Sequence, residues 1–194
     1  MALNEQAYNL LVVSASEKFN DIMASLLPEM SFAPVCYAGS ITEAQRKAAE
    51  QSFDIIVVNS PLGDDMGIRF AIDCSASSDT LVLILAKNET FTDVYERVER
   101  YGVFTLSKPI SKQSIVNALR WMITTKTRLE KAEKKTVKME NKMEEIRLVN
   151  KAKWLLISKQ GLLEPEAHRY LEKEAMDRCV PKRIVAEEII KKYS

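Results

Sequence analysis

The sequence predicts an α/β domain followed by helices: a doubly wound, five-stranded parallel sheet, a long coiled-coil-type helix, and a three-helix bundle at the C-terminal end. Three observations predict this fold class. Five short apolar stretches alternate with amphipathic helical patterns in the first 110 residues, no Gly or Pro interrupts residues 112–160, and apolar residues recur at helical spacing beyond Gly161. Apolar strands separated by helices are typical of a parallel sheet that is covered on both faces.

The predicted strands are short and mostly β-branched or aliphatic. Ser16 is expected to cap the first helix, and Ser40 and Glu43 form a capping box at the start of the second. Five such βα units in about 120 residues are typical of a flavodoxin-like domain. The strands are expected at residues 10–13, 32–37, 55–58, 80–85 and 103–106.

A helix of about fifty residues is predicted between Ser111 and Gly161, which at 1.5 Å per residue is roughly 75 Å long. A three-four spacing along it favours a coiled-coil dimer, and the alternative is a solvated connecting helix stabilised by local Glu/Lys pairs. We therefore expect domains at 1–120 and 146–194, joined by a linker helix at 121–145. The expected seam is Met122, Thr125, Leu129, Ala132, Thr136, Met139, Met143, Ile146 and Asn150.

Charge is distributed unevenly along the chain. Residues 1–119 hold 9 basic and 15 acidic side chains, whereas residues 120–194 hold 19 basic and 12 acidic ones, so the net charge of +1 conceals a basic C-terminal half. A basic half is expected to attract polyanions. No apolar run reaches the roughly 18 residues of a membrane span, and the N-terminus has no signal-peptide pattern.

The cysteines and the histidine exclude the usual metal sites. Three isolated cysteines without a C-x-x-C spacing, together with the single His168, match no common metal-binding pattern. Reduced, mostly buried thiols favour a cytoplasmic protein. No nucleophile–base pair or phosphate-cradling glycine loop is visible either, so we expect neither an enzyme nor a bound cofactor.

The segment 54–67 carries a functional signal. Strand-like residues lead into Asn59, and Gly67 follows eight positions later. This segment resembles the third strand and following loop of a receiver domain of two-component signalling, with Asn59 where that family carries its phosphate-accepting aspartate. An amide cannot serve as the carboxylate nucleophile. The resemblance therefore implies a pseudo-receiver that does not accept phosphate.

Other positions that resemble the receiver site are also changed. Ser14 and Ala15 stand where the family has the acidic pair that holds Mg²⁺, and hard divalent cations need such oxygen anions. Leu85 replaces the expected hydroxyl residue, whereas Lys108, followed by Pro109, is retained. Lys108 could simply neutralise a nearby carboxylate, and Asn59 could hydrogen-bond its own loop. A rival interpretation is a phosphate-responsive regulator that uses Asp64 or Asp65 as its acceptor.

The last fifty residues carry the sharper signal. Ala152-Lys153 followed by a Leu pair, Glu166-Ala167, Ala175-Met176, and Val185-Ala186 with a closing Ile pair occur in this order. This stretch, roughly 143–192, resembles the ANTAR domain, the RNA-binding domain of bacterial transcription antitermination regulators. Trp154 departs from the small residue that the family often has at this place. The resemblance implies a dimer that binds a stem-loop in a nascent transcript. Control is then expected from a protein partner or ligand on the receiver surface, or from dimerisation itself.

Basic residues crowd into this C-terminal stretch and would release counterions on binding phosphates. Trp154, Tyr170 and His168 could stack on exposed loop bases, although the alternative is that Trp154 and Tyr170 belong to the core and His168 to the surface. A second rival is a scaffold whose long helix docks a protein and never touches RNA. The candidate RNA-binding residues are Lys151, Lys153, Arg169, Lys173, Arg178, Lys182 and Arg183.

Overall fold

A computed structural model describes residues 7–27, 32–63, 65–77 and 79–193. The chain divides into an N-terminal unit, residues 1–128, and a C-terminal unit, residues 129–194. The last long helix of the first unit continues as the first helix of the second.

The N-terminal unit is built around a parallel sheet of five strands in the order β2-β1-β3-β4-β5. The order reverses at β1, which is the signature of a doubly wound sheet. The prediction of a five-stranded, doubly wound parallel sheet is therefore confirmed. The strands are β1 (Tyr8–Val13), β2 (Phe32–Ala38), β3 (Ile55–Asn59), β4 (Leu81–Lys87) and β5 (Phe104–Lys108).

Five helices cover the two faces of this sheet. Their bounds are α1 (Glu17–Leu26), α2 (Ile41–Glu50), α3 (Ile68–Ser77), α4 (Phe91–Val98) and the first part of α5 (Lys112–Gln160). Two short 3₁₀ turns, Asn88–Thr90 and Glu99–Tyr101, flank α4. The predicted caps are present, because Ser16 Oγ accepts from Phe19 N and Ser40 Oγ accepts from Glu43 N.

Alternation along each strand divides the core into two layers. In β3, Ile55 and Val57 pack with α1 and α5, whereas Ile56 and Val58 pack with α2, α3 and α4. Successive side chains of a strand point to opposite faces, so a strand that is apolar at every position fills both layers.

The first residues of α5 belong to this core. Ile115, Leu119 and Met122 are buried against the sheet. Met122 was predicted as the first seam position, and that assignment is wrong, because one turn of α5 at this point is used to cover β-strands rather than another helix.

The C-terminal unit contains the rest of α5 with α6 (Glu164–Asp177) and α7 (Lys182–Tyr193). Gly161, with φ +71°, lies between α5 and α6, and a proline stands in the first turn of α6. The long helix and the closing three-helix arrangement are therefore as predicted.

Candidate nucleic-acid interface

The core of the C-terminal unit decides which side chains face outward. Small and aliphatic residues at four-residue spacing meet where the three helices pack. Because these small side chains fill the interior, the larger polar and aromatic residues on the same helices remain at the surface. The buried set is Ala152, Leu156, Ala167, Leu171, Ala175, Val185, Ala186 and Ile189.

Two of the predicted RNA-binding cations connect α5 to its neighbours. Lys153 Nζ donates to Glu164 Oε1 of α6 at 2.8 Å, and its side chain is only 18% exposed. This hydrogen bond and charge lower the pKa of Glu164. Arg183 of α7 lies 3.3 Å from Glu144 of α5 and also pairs with Glu187 at 2.8 Å. Both cations are already matched by carboxylates.

Two more of the predicted cations connect α6 to α7. Lys182 Nζ donates to Glu172 Oε1 at 2.5 Å, and Arg178 makes a two-pronged contact with Glu188 at 2.5 and 2.7 Å. These bonds lower the pKa of Glu172 and of Glu188. Paired, fork-shaped contacts of this kind fix the orientation of two groups. The four cations therefore join all three pairs of helices in the bundle.

The remaining three predicted cations are different. Lys151, Arg169 and Lys173 are exposed, and no carboxylate among the described residues lies within ion-pairing distance of any of them. Arg169 and Lys173 are four residues apart on α6, so they lie on the same helical face. Their position opposite the buried Ala167 and Leu171 leaves both side chains free to meet an external anion.

Exposed aromatic side chains accompany these cations. Trp154 is 71% exposed and Tyr170 is 40% exposed. The alternative that they belong to the core is therefore wrong: small residues such as Ala152 and Ala167 occupy the interior instead. His168 is a surface residue, and its Nε2 lies 3.3 Å from Glu172 Oε1.

A further basic groove was missed by sequence reasoning. A cavity of about 400 Å³ is lined by three cations and one carboxylate, together with an amide and a proline: Lys138, Lys142, Arg183, Glu145, Asn141 and Pro181. The sequence signal was present, since Lys138 and Lys142 are one helical turn apart. They lie before residue 143, where the stretch that resembles the RNA-binding domain begins, so neither is among the predicted RNA-binding residues.

Two of the positions that resemble the receiver's acceptor site, Asn59 and Ser14, are hydrogen-bonded to each other. Asn59 Nδ2 donates to Ser14 Oγ at 2.9 Å, and Ser14 Oγ also accepts from Ser16 N at 3.1 Å. Ser14 is buried, whereas Ala15 is exposed. The expectation that Asn59 bonds within its own loop is wrong, because the end of β1 brings a hydroxyl within reach of its amide.

Lys108 and the nearby loop carboxylate are also bound to backbone. Lys108 Nζ donates to the carbonyl of Ser60 at 2.5 Å rather than to a carboxylate, which corrects the expectation of simple charge neutralisation. Asp65 Oδ1 accepts from Gly67 N at 2.6 Å, which holds it within the turn. Asp64, the other proposed acceptor, lies outside the described residues.

Comparison with known proteins decides the nature of the C-terminal unit. The family model for the ANTAR domain matches residues 137–190. Residues 137–190 form an ANTAR domain. The ANTAR domain therefore begins in the second half of α5 and includes α6 and most of α7.

Similarity extends over most of the chain. The transcriptional regulatory protein PdtaR of Mycobacterium tuberculosis is 25% identical over 169 residues, which is 87% of this chain and 82% of that protein. The protein thus has a homologue of similar length that is named as a transcriptional regulator.

The N-terminal unit has the receiver fold. It is similar to the signal receiver domain of an HD domain-containing protein from Pseudomonas fluorescens (TM-score 0.59, 18% identity, 68% of this chain and 97% of that one). It is also similar to a response regulator receiver domain protein from Clostridium thermocellum (TM-score 0.56, 20% identity, 63% and 98%). A receiver fold is therefore joined to an ANTAR domain. No described helix combines the length and the apolar composition needed to cross a bilayer.

Proposed function

We propose that the ANTAR domain binds a stem-loop in a nascent transcript and disfavours formation of a terminator hairpin. The observation that carries this proposal is the exposure of three of the predicted contact residues, Lys151, Arg169 and Lys173, none of which has a carboxylate partner among the described residues. An exposed, unpaired cation can exchange its counterion for a phosphate. Trp154 and Tyr170 provide flat surfaces on which unpaired loop bases can stack.

The proposal divides the seven candidate residues by their role. Lys153, Arg178, Lys182 and Arg183 hold the three helices together, and the unpaired three contact phosphate. Three phosphate contacts, at a slope of about 0.7–0.9 each, predict a loss of affinity of roughly 20- to 40-fold between about 50 and 200 mM salt. A mutational effect at a bridging residue is expected to act through the fold.

The first test compares variants that lose the same charge in different units. Arg169→Gln with Lys173→Gln should weaken binding to a short RNA hairpin at low salt and reduce the salt slope by about 1.5. Lys18→Gln with Arg46→Gln removes two exposed charges from the N-terminal unit and should leave the slope unchanged. Binding is measured by fluorescence anisotropy with the full chain.

A charge-conserving variant separates folding from binding. Arg178→Gln with Glu188→Gln removes an ion pair without changing the net charge, and hairpin affinity should stay within about threefold of the wild type, since a surface pair contributes little to stability. Equal slopes for wild type and Arg169→Gln/Lys173→Gln would contradict the proposal. Weak, salt-insensitive binding by the wild type would favour the protein-docking scaffold.

Stacking is tested with two exposed tryptophans on α5. Trp154→Ala should weaken binding to a hairpin with an unpaired loop by about fivefold or more without changing the salt slope, because stacking on one base contributes about 1–3 kcal/mol and releases no ion. Trp121, 65% exposed but in the N-terminal unit, is the matched control, and its replacement by Ala should have no effect. Equal losses in both variants would remove Trp154 from the interface.

The receiver half is proposed to act by contact rather than by phosphorylation. The amide of Asn59 and its bond to Ser14 Oγ support this, because neither group offers a carboxylate to a phosphoryl donor. Incubation with acetyl phosphate and Mg²⁺ followed by intact-mass measurement should give no phosphoryl adduct. A stoichiometric adduct would instead support the rival acceptors Asp64 or Asp65, and its site can be mapped by peptide mass.

A homodimer through α5 is proposed because residues at three-four spacing form the predicted coiled-coil seam along this helix. Met139, Met143 and Ile146 are more than half exposed on one side of the helix. Two linked RNA-binding domains would raise avidity through effective concentration. Met143→Glu with Ile146→Glu should convert a dimer to a monomer in sedimentation velocity, whereas Lys134→Glu with Glu133→Lys should not. We also propose that the protein works in the cytoplasm and has no enzymatic activity.

A further inference from the structure

A small cavity opens at the carboxyl ends of β3, β4 and β5, beside α1 and the start of α5. Its volume is about 280 Å³. Open α/β sheets bind their ligands at this edge. The cavity lies where the receiver resemblance places phosphoryl chemistry, yet most of its walls are apolar: Phe19, Ile22, Leu85, Ile110 and Ile115.

The polar groups that a phosphate would need are already engaged. Asn59 Nδ2, at the cavity wall, donates to Ser14 Oγ. Leu85 of β4, which is 1% exposed, gives the cavity a hydrocarbon wall. A phosphate dianion requires several donors directed at its oxygens, and this cavity does not supply them from its walls.

One cation lies half-buried in the cavity wall. Lys108 is half-buried there and donates to the carbonyl of Ser60, and no described carboxylate lies within ion-pairing distance of its Nζ. An ammonium has three donors, so a carbonyl leaves capacity for a further acceptor. Burial, and then the charge of Lys87, lower the pKa of Lys108. An anion beside this ammonium would offset both unfavourable effects.

We propose that this cavity binds a small carboxylate with a hydrocarbon body, its carboxylate on Lys108 and its body against Phe19, Ile22 and Leu85. Lys112, which also lines the cavity, adds positive charge at the entrance. The volume, about 280 Å³, is just below the range of about 300–1,000 Å³ for ligand pockets, so the occupant is smaller than a nucleotide. This inference rests on the proposal that the receiver half is not phosphorylated.

A ligand at this place would contact the element that continues into the ANTAR domain. Ile115 of α5 lines the cavity, and α5 is one uninterrupted helix to Gln160. An occupied cavity would hold α1, the sheet edge and the first turn of α5 together. A small acid could thus replace the phosphoryl group as the input.

The test is a titration of the isotopically labelled full chain, followed by backbone amide shifts. The probes are straight-chain carboxylates from butyrate to octanoate and phenylacetate, each to about 10 mM, with the corresponding primary amides and inorganic phosphate as comparisons. At least one carboxylate should shift the amides around Leu85, Lys108, Ile110 and Ile115 selectively. Its amide and inorganic phosphate should each bind at least about tenfold more weakly.

Two variants locate the binding. Lys108→Met keeps the aliphatic stem and should weaken the carboxylate at least about tenfold, and Ile110→Trp should abolish binding by filling the cavity. Arg46→Gln removes an exposed cation from α2, on the opposite face of the sheet, and should bind as the wild type. Unperturbed amide spectra of the free variants verify that each one folds.

Three outcomes would overturn the inference. These are no selective shift with any carboxylate, equal affinity in Lys108→Met, and phosphate binding as tightly as the best carboxylate. Failure of the proposed function would be seen in other measurements: a phosphoryl adduct in intact-mass measurement, or a hairpin affinity that does not change in Arg169→Gln/Lys173→Gln. Carboxylate binding is measured without RNA and without a phosphoryl donor, so each result can fail separately.

Discussion

A buried lysine is expected to govern the stability of the N-terminal unit. Lys126 of α5 is 7% exposed, its Nζ donates to the carbonyl of Asp79 at 2.7 Å, and it lies 3.4 Å from Asp54 Oδ1. The other oxygen of Asp54 accepts from Asn9 N at 2.9 Å. This carboxylate therefore fastens α5 to the start of β3 and to β1.

The two ways of breaking the pair should differ in free energy of unfolding. Asp54→Ala leaves the ammonium of Lys126 buried with one carbonyl and deprives Asn9 N of its acceptor. The loss in free energy of unfolding should be about 3 kcal/mol. This is near the low end of the cost of breaking a buried ion pair, because Asp54 is partly exposed. Lys126→Met keeps most of the apolar stem and leaves only the partly exposed Asp54 carboxylate without its cation. It should therefore cost about 1.5–2 kcal/mol, the low end for a hydrogen bond to a charged group. The double variant should cost about 2 kcal/mol, less than Asp54→Ala alone.

Urea denaturation of the full chain measures these differences. In a Trp154→Phe background, Trp121 is the single tryptophan and reports on the N-terminal unit, and midpoints convert to free energies at constant slope. Two results would refute the view that an uncompensated buried charge is the dominant effect. One is an Asp54→Ala variant that loses no more free energy of unfolding than Lys126→Met, and the other is a double variant whose loss is the sum of the two single losses.

Two further predictions concern the loop after β3 and the acid limit of the ANTAR domain. Gly67→Ala should cost about 2–4 kcal/mol in the same denaturation experiment, because φ is +71° and a Cβ would lie 2.8 Å from Val58 Cγ1, whereas Gly63→Ala, with φ +59° and open space, should cost only about 1–2 kcal/mol; equal costs would contradict the steric reasoning. The pKa values of Glu164, Glu172 and Glu188 are lowered in the folded protein, so the stability that their ion pairs contribute is present above the unfolded carboxyl pKa of about 4.3 and is lost as pH falls through the lower folded values. Thermal midpoints from pH 7 to pH 3, read from helical circular dichroism, should therefore fall below about pH 4.5, and the fall should be shallower in Arg178→Gln/Glu188→Gln; an identical acid dependence would exclude that pair as a contributor.

The sequence was sufficient for most of the fold because the relevant signals are local. Continuous apolar stretches such as residues 55–58 predict buried strands, and Ser40 with Glu43 predicts the start of a helix from residues only three apart. Register and layer follow from alternation within each strand. These features need no knowledge of distant partners.

The features that escaped prediction depend on distant partners. Lys126 looked like one more charge on a solvated helix, and only the folded chain brings Asp54 and the Asp79 carbonyl to it. The bridging role of Lys182 likewise depends on Glu172 in another helix. Trp154 was open to a core assignment because size and apolarity alone do not reveal that alanine fills the interior.

The number of basic residues in the ANTAR domain overstates the charge that a polyanion can contact, because four of them are ion-paired within the domain. These four are Lys153, Arg178, Lys182 and Arg183. A polyanion that approached Lys182 would have to displace Glu172, which is tethered nearby and always present. These carboxylates compete with any external polyanion at four of the eleven basic residues between 137 and 190. The protein should therefore elute from heparin earlier than its count of basic residues indicates.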